Sequence, residues 1–344
     1  MQKSIAICYP LLLLKSTANK KSFTELGKII KKSGDSVRRL LSPAEKGFCA
    51  LENIAIDMFK HKKELFVSID DTLIKKFYSQ FIEGTDMFFD TKTNRMIMSY
   101  KCLIVAISDT KYTIPLRCSF LPSKNMMKNA AEFKDSIVKQ IISEVEKLFP
   151  DKRLIFTADG AFATKKLLSW STENKINAEM RMHSNRVVLY KGNLVKISEI
   201  KDLIPKGRHM ARTIQATWYG LSVEITAERR IDKHGEESIV YLVATYKATP
   251  AKHVAAYKRR WPLEKTIRTT KQYLGLQECF STSLDTQLKH VASVLLAYAL
   301  AQLERKRQKF DTPEDAIKWL RQQDFDFLKE RFERLDQIFG DAYA

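Results

Sequence analysis

Several features of other protein classes are missing from this sequence. No apolar run reaches the ~18 residues of a membrane-spanning helix, and we see no basic amphipathic helix typical of a membrane surface. The five cysteines form no CxxC pair and the six histidines are scattered, so a structural zinc site is not expected. An odd number of cysteines favours a reducing compartment, and we expect a cytoplasmic protein without a membrane partner.

Acidic residues are too few to balance the basic ones. The 344 residues include 59 Lys and Arg against 40 Asp and Glu, which gives a net charge of +19. So large an excess indicates a polyanionic partner, and without a membrane-binding segment the favoured partner is nucleic acid. The hydrophobic fraction of 44% is that of a globular protein, and the length allows one large domain or two to three smaller ones.

The N-terminal region, residues 1–63, is rich in basic residues and reads as helical. Residues 22–41 predict two short helices around a Gly-Asp turn, with Ser36 as a cap of the second helix. That helix would expose Arg38 and Arg39. The pattern is typical of a DNA-binding helix-turn-helix, although an ordinary helical hairpin is the alternative.

The hydrophobic period changes after residue 63. An apolar strand over 65–72 ends in Asp70 and Asp71, and two further strands follow. A long amphipathic helix, a strand ending in Asp159 and another helix come next. This order predicts an α/β protein whose RNase H-like mixed sheet is flanked by helices, with the first part of the core at 64–183.

Residues 184–248 break this alternation. Five strand-like segments with turns between them predict a β-rich insertion, after which residues 249–284 would complete the core. Residues 285–344 read as a helical C-terminal region of two or three helices. We expect this last region to provide the contact surface of a dimer.

One stretch combines unusual chemistry with regular spacing. On a helix, Tyr257, Arg260, Glu264 and Lys271 fall within an arc of roughly 60°. Glu264 is the single acid among Lys258, Arg259, Arg260, Lys265, Arg268 and Lys271. A solvated basic face, with Glu264 as the i,i+4 partner of Arg260, is the alternative. Pro262 should kink the helix.

The spacing Tyr-x2-Arg-x3-Glu-x6-Lys resembles the YREK signature of DDE transposases of the insertion-sequence-four family. The neighbouring Arg-Trp-x-Leu-Glu and the Leu-Gly-Leu at 274–276 are similar too, and the resemblance extends over roughly 64–275. It implies that Glu264 is the third metal-binding carboxylate and that Tyr257, Arg260 and Lys271 contact DNA phosphates. The family also carries a β insertion at this point.

Phosphodiester cleavage by two metal ions needs carboxylates held on rigid elements. Asp70 and Asp159 follow strands predicted to be neighbours, and with Glu264 they form a candidate catalytic site for two Mg²⁺ ions, for which Mn²⁺ can substitute. Asp70 shares the Ser68 face of its strand, whereas Asp71 shares the fully apolar face. The resemblance also places the first catalytic acid at Asp70.

These patterns together predict a transposase of a bacterial insertion sequence. It would bind terminal inverted repeats, cut the DNA and join the 3′-hydroxyl to target DNA, acting as a homodimer on double-stranded DNA in the nucleoid. Trp218, or Tyr219 beside it, could stack on an unpaired base. The alternatives are a site-specific nuclease or resolvase on the same fold, and a DNA-binding regulator with a vestigial acidic site.

Overall fold

An eleven-stranded mixed sheet runs through the computed structural model of the protein, which describes residues 7–76, 81–207, 210–232 and 234–341. The strands are β1 (Glu64–Lys75), β2 (Asp86–Asp90), β3 (Arg95–Ser108), β4 (Thr113–Leu121), β5 (Arg153–Ala158), β6 (Asn177–Met182), β7 (Val187–Tyr190), β8 (Asn193–Lys196), β9 (Ala211–Trp218), β10 (Leu221–Ile231) and β11 (Glu237–Ala244).

Helices occupy the rest of the described chain and flank this sheet. They are α1 (Cys8–Lys15), α2 (Phe23–Ile30), α3 (Gly34–Arg38), α4 (Ala44–Phe59), α5 (Ala130–Leu148), α6 (Lys165–Glu173), α7 (Pro250–Lys258), α8 (Trp261–Tyr273), α9 (Leu284–Gln308), α10 (Pro313–Gln322) and α11 (Phe325–Asp341). Within the described ranges, none of the helices has the length and hydropathy needed to cross a bilayer.

Strand β1 lies at the centre of the part of the sheet formed by β1 to β6. It pairs in parallel with β5 and antiparallel with β3, while β5 continues in parallel to β6. Both β2 and β4 pair antiparallel with β3. The predicted α/β fold with an RNase H-like mixed sheet is confirmed, although the sequence reading named neither β2 nor β6.

The β-rich region continues the same sheet. Strand β11 pairs antiparallel with β6, and β10, β9, β7 and β8 follow outward in that order. The five strands predicted for this region are all present, each displaced by no more than two residues at either end. The β-rich region therefore extends the sheet of β1 to β6 through backbone hydrogen bonds.

Helix α9 forms the centre of the helical layer. It contacts α1, α4, α10 and β4, and its residues from 290 to 304 are all buried. The prediction of two or three C-terminal helices is confirmed by α9, α10 and α11. The same burial means that α9 is an internal element of one protomer, so this part of the C-terminal region cannot provide the expected dimer surface.

The N-terminal helix pair differs in detail from its prediction. The turn lies at residues 31–33, and Ser33 rather than Ser36 caps α3, because its hydroxyl accepts the Ser36 N–H at 3.2 Å. Gly27 allows this turn to fold back on α2: a Cβ there would lie 2.3 Å from the Lys32 carbonyl oxygen. At five residues α3 is about 7.5 Å long, which is short for a helix that reads bases in a major groove.

Candidate active site

The first two predicted acids meet at one edge of the sheet. The parallel register of β1 and β5 ends at Ile69 opposite Ala158, and Asp70 and Asp159 are the next residues on each chain. The sequence predicted that β1 ends at the acids. Instead, β1 continues beyond them, because its antiparallel pairing with β3 extends to Lys75. The sheet edge at the acids is therefore the place where β5 ends, while β1 runs on past it.

The alternation of β1 separates Asp70 from Asp71. On the Asp70 face, the Ser68 hydroxyl is hydrogen-bonded to the Thr157 hydroxyl at 2.9 Å and donates to the Arg259 carbonyl at 3.1 Å. On the other face, the Asp71 carboxylate pairs with the Lys101 ammonium at 3.1 Å. Asp70 thus lies on the face that is covered by the segment between α7 and α8.

The segment predicted as one kinked helix is two helices. Helix α7 begins after the Thr249 cap and ends at Lys258, and α8 begins at Trp261. Pro262 lies in the first turn of α8, where a missing N–H costs no intrahelical hydrogen bond. Tyr257 and Arg260 therefore belong to different elements, and the prediction of one shared helical face fails at this break.

Arg260 joins two of the three predicted acids. Its Nη1 lies 3.1 Å from Asp70 Oδ2, and its Nη2 donates to Glu264 Oε1. The guanidinium side chain is 14% exposed. The i,i+4 pair considered from the sequence is present, but the contact with Asp70 makes it a bridge between α8 and β1.

The remaining acid, Asp159, is fixed by the turn that follows β5. Its Oδ1 accepts the Ala161 N–H at 2.8 Å, and its backbone carbonyl accepts the Phe162 N–H at 3.1 Å. These bonds orient the carboxylate beside the end of the β1–β5 pair while occupying only one of its oxygens.

Charge is crowded around Asp70. Burial raises the pKa of this carboxyl to about 7, and Asp159, Asp71 and Glu264 act in the same direction against the Arg260 charge. Carboxylates that crowd a neighbouring acid in this way favour a bound cation. Across the residues the structure describes, no three Asp, Glu, His or Cys side chains converge closely enough to hold a metal ion, and between Asp70 and Glu264 the neutralising cation is Arg260.

Two other residues of the signature are held inside the protein. Tyr257 is 6% exposed and packs with Val240, Leu242 and Val254, with the Arg260 guanidinium 5.7 Å from its ring centroid. Lys271 donates to the Thr72 hydroxyl at 2.7 Å and to the Leu73 carbonyl at 3.0 Å. Burial, together with the nearby charges of Lys92 and Lys75, lowers the pKa of Lys271 to about 8.

A groove of about 540 Å³ runs beside Asp70 and Glu264. Besides the acids, its lining includes four side chains that the sequence reading did not single out as site residues: Lys92, Trp261, Lys265 and Arg268. The last three are exposed on α8 at spacings of four and three residues, and Trp261 is 54% exposed. That helical spacing could have identified these three residues as one face from the sequence.

The other candidate DNA contacts lie on separate elements. Arg38 and Arg39 are exposed at the end of α3, as predicted. Trp218 is 2% exposed and stacks on Tyr219, with ring centroids 4.8 Å apart. A ring so deeply buried cannot stack on a base from solvent, whereas Tyr219 is 50% exposed.

The fold is a mixed α/β sheet flanked by helices, with Asp70 and Asp159 on neighbouring strands where their parallel pairing ends. Residues 61–300 match the family model described as the transposase DDE domain. This match covers more than half of the chain, so the protein belongs to the transposase DDE-domain family.

A solved structure shows the same fold. The protein is similar to the piggyBac transposase in its synaptic complex with hairpin DNA, with a TM-score of 0.52 and 13% sequence identity; the match covers 97% of this chain and 72% of that one. No curated protein matches the sequence. At this identity the structural likeness establishes the fold.

Proposed function

We propose that the protein is the transposase of a bacterial insertion sequence of the insertion-sequence-four family. It binds the terminal inverted repeats of double-stranded DNA, cleaves at the element ends and joins the 3′-hydroxyl to target DNA in the nucleoid. The observation that carries this proposal is the contact of Arg260 with both Asp70 and Glu264, at the sheet edge where Asp159 follows β5.

The oxygen ligands present suit a divalent metal, and the three acids, which do not converge while Arg260 lies between Asp70 and Glu264, would close around the ions on binding. Carboxylate oxygens are the ligands that Mg²⁺ and Mn²⁺ prefer, and Asp70, Asp159 and Glu264 would hold two such ions. When bound, the ions activate the attacking oxygen and neutralise charge at the phosphate. Asp70 supports this fit because burial, and after it the neighbouring Asp159, Asp71 and Glu264, raises its pKa, and added positive charge would oppose these effects.

Arg260 has a second role in this proposal. Its guanidinium balances Asp70 and Glu264 in the protein alone, so a metal ion held by both acids would compete with it for their charge. A guanidinium released at this position can pair with a DNA phosphate in the groove. Lys92, Lys265 and Arg268 extend the positive charge along that groove and contribute salt-dependent affinity.

Lys271 and Tyr257 support the site from behind in the DNA-free protein. The Lys271 bonds to Thr72 and Leu73 tie α8 to β1 just beyond the acids. Tyr257 supports Arg260 from the core through their ring contact. In the proposed DNA complex Lys271 also contacts a phosphate near the cut, whereas the buried Tyr257 acts through Arg260. Arg38 and Arg39 bind the duplex further away, and Tyr219 rather than the buried Trp218 is the ring available to a base.

Cleavage and joining assays test the proposal. The substrate is a duplex that carries the inverted repeats flanking the gene, assayed with Mg²⁺, with Mn²⁺ and with a chelator. Glu264→Gln and Asp159→Asn should abolish cleavage while leaving duplex binding nearly intact, because each removes a metal ligand but no phosphate contact. Asp202→Asn, an exposed acid paired with Lys191, is the control and should cleave normally.

The same assay separates the alternatives. Cleavage without joining to a target would identify a nuclease or resolvase, and binding without metal-dependent cleavage would identify a regulator. The joining complex should contain at least two protomers, because two element ends must be cut and joined together. A joining complex with the mass of one protomer would exclude the proposed dimer.

A further inference from the structure

A buried charged cluster lies behind the active site. His253 of α7 is fully buried, and its Nδ1 lies 2.6 Å from Glu179 Oε2 of β6. Its Nε2 lies 2.8 Å from Glu224 Oε2 of β10. Because carboxylates face both nitrogen atoms, the imidazolium form donates both hydrogen bonds. Hydrogen bonding to Glu179 and Glu224 outweighs the effect of burial and raises the pKa of His253.

The two carboxylates are themselves fixed by neighbours. The Tyr246 hydroxyl donates to Glu179 Oε2 at 3.0 Å, and the Ala248 N–H donates to Glu224 Oε2 at 3.0 Å. Glu179 is fully buried, and its Oε1 has no hydrogen-bond partner in the part of the chain that the structure describes. Burying charge in this way is expensive compared with apolar packing, which indicates that the cluster does something other than stabilise the fold.

Helix α7 packs on the sheet through few buried side chains, with a surface ion pair from Lys258 to Glu228 of β10 beside them. Only four of its nine residues are buried, and two of them, Ala256 and Val254, are small. His253 is the one that reaches polar partners on two different strands, β6 and β10. Its hydrogen bonds have fixed directions, so they limit rotation and sliding of the helix more strongly than apolar contacts can.

The helix leads directly to the acids. His253, Tyr257 and Arg260 follow one another at spacings of four and three residues. The Arg259 carbonyl at the end of α7 accepts the Ser68 hydroxyl two residues before Asp70, and Arg260 then contacts Asp70 and Glu264. A shift of α7 therefore moves the bridge between the acids.

We propose that Glu179, His253 and Glu224 form a positioning clamp that sets Arg260 and Glu264 relative to Asp70. These residues touch neither DNA nor the reacting atoms, so they act through α7. The clamp also links the β-rich region, through Glu224, to the catalytic helix pair. This inference rests on the proposed function for its catalytic consequence, but the positioning itself can be measured without activity.

The test compares two buried histidines in the full-length protein. His253→Gln removes the charge and one of the two hydrogen bonds. His290→Gln is the matched control, because His290 is also fully buried and bonds at both nitrogen atoms, to the Tyr9 hydroxyl at 2.8 Å and the Gly275 carbonyl at 2.9 Å. Both variants should unfold at a lower temperature than the wild type.

Two measurements distinguish positioning from general stability. Hydrogen exchange of the amides at 255–264 should become faster in His253→Gln and remain near wild type in His290→Gln. Mn²⁺ affinity should fall about tenfold in His253→Gln alone, which is the usual effect of losing support behind metal ligands. In cleavage assays, kcat should fall while KM for the duplex stays unchanged.

Equal exchange at 255–264 in the two variants would overturn the clamp. If His253→Gln fails to fold, Tyr246→Phe removes a single donor to Glu179 and should show the same changes to a smaller degree; unchanged exchange there would also overturn it. A wild-type protein that neither binds Mn²⁺ nor cleaves would refute the proposed function, while the exchange result would still decide whether α7 is held by the clamp.

Discussion

Asp70, beside the end of β5, and His290, in the helical layer around α9, are ionisable side chains whose surroundings respond to charge in opposite ways. In the helical layer, burial lowers the pKa of His290 to about 4, and the neutral ring is satisfied by the Tyr9 hydroxyl and the Gly275 carbonyl. At the edge, burial raises the pKa of Asp70 to about 7, yet its partner is a charged guanidinium.

This difference separates stability from function in one molecule. A neutral buried group with satisfied hydrogen bonds is compatible with tight apolar packing, as in the α9 layer. A cluster of half-buried carboxylates is not, unless a cation is present. At the sheet edge Arg260 supplies that cation, and crowded charges of this kind are expected where charge has to be available for binding or catalysis.

The largest expected effect is the loss of DNA cleavage on substitution of Asp70, compared with its neighbour Asp71. Asp70→Asn should reduce metal-dependent cleavage by ~10³-fold or more, because it removes a proposed metal ligand. Asp71→Asn should reduce cleavage by only about 10- to 100-fold, since Asp71 faces Lys101 on the other side of β1. The measurement is single-turnover cleavage by equally folded proteins. The reverse ranking would place the ligand on the Asp71 face.

A core substitution should give the opposite pattern. Leu295→Ala in α9 removes a fully buried side chain and should lower the free energy of unfolding by about 2–5 kcal/mol, as measured by urea denaturation. At temperatures where the variant remains folded, its Mn²⁺ affinity should equal that of the wild type. Lys265→Ala in the groove should have the opposite effect to Leu295→Ala. It should weaken DNA binding and leave the free energy of unfolding unchanged. A fall in Mn²⁺ affinity for Leu295→Ala would mean that the two regions are coupled.

The two buried histidines should respond to pH with opposite signs. The folded-state pKa of His290 lies below its unfolded value, so the wild type loses stability as pH falls from about 6.5 to about 4, by on the order of 3 kcal/mol. His253 has a raised folded-state pKa, so its contribution is present below pH 6.5 and is lost as pH rises through that pKa.

Urea denaturation at several pH values tests this contrast. The destabilisation caused by His290→Gln should shrink as the pH is lowered toward 4.5, because the variant lacks the group that resists protonation. The destabilisation caused by His253→Gln should instead be largest at low pH. Parallel pH profiles for the two variants would contradict the assigned charge states.

The smallest expected effect lies outside both regions. Arg38→Ala combined with Arg39→Ala should weaken duplex binding and reduce the slope of log K against log salt by up to about 2, one for each lost phosphate contact. Cleavage of bound DNA should be unchanged. A salt titration that shows the same affinity and slope as the wild type would make α2 and α3 an ordinary helical hairpin.

The sequence was sufficient for the catalytic half of the fold because its strands carry strong local signals. The apolar runs before Asp70 and Asp159 indicated two strands, and the change of period after residue 183 indicated the β-rich region. Helix α9 could also have been recognised as a core helix, since residues 291–303 are apolar on nearly every side. The roles assigned to the site residues stay predictions.

What could not be read from the sequence depends on distant contacts. The bond between Arg260 and Asp70 joins residues 190 positions apart, and no local pattern encodes it. Strand β2 is short and lies at an edge of the sheet, which leaves little hydrophobic signal. The break at Arg259 and Arg260 was suggested by Pro262, but its consequence for Tyr257 required the packing of α7.

The position of α9 has a consequence for how the protein is made. Helices α1 and α4 pack on α9, so the first sixty residues lack their main apolar partner until residue 308 has been synthesised. Leu11, Leu12, Leu13 and Leu14 are fully buried in the finished protein and would be exposed on any shorter chain. Ribosomal products that stop before α9 should therefore aggregate or be degraded, and the cell would hold no partly made protein with an assembled site.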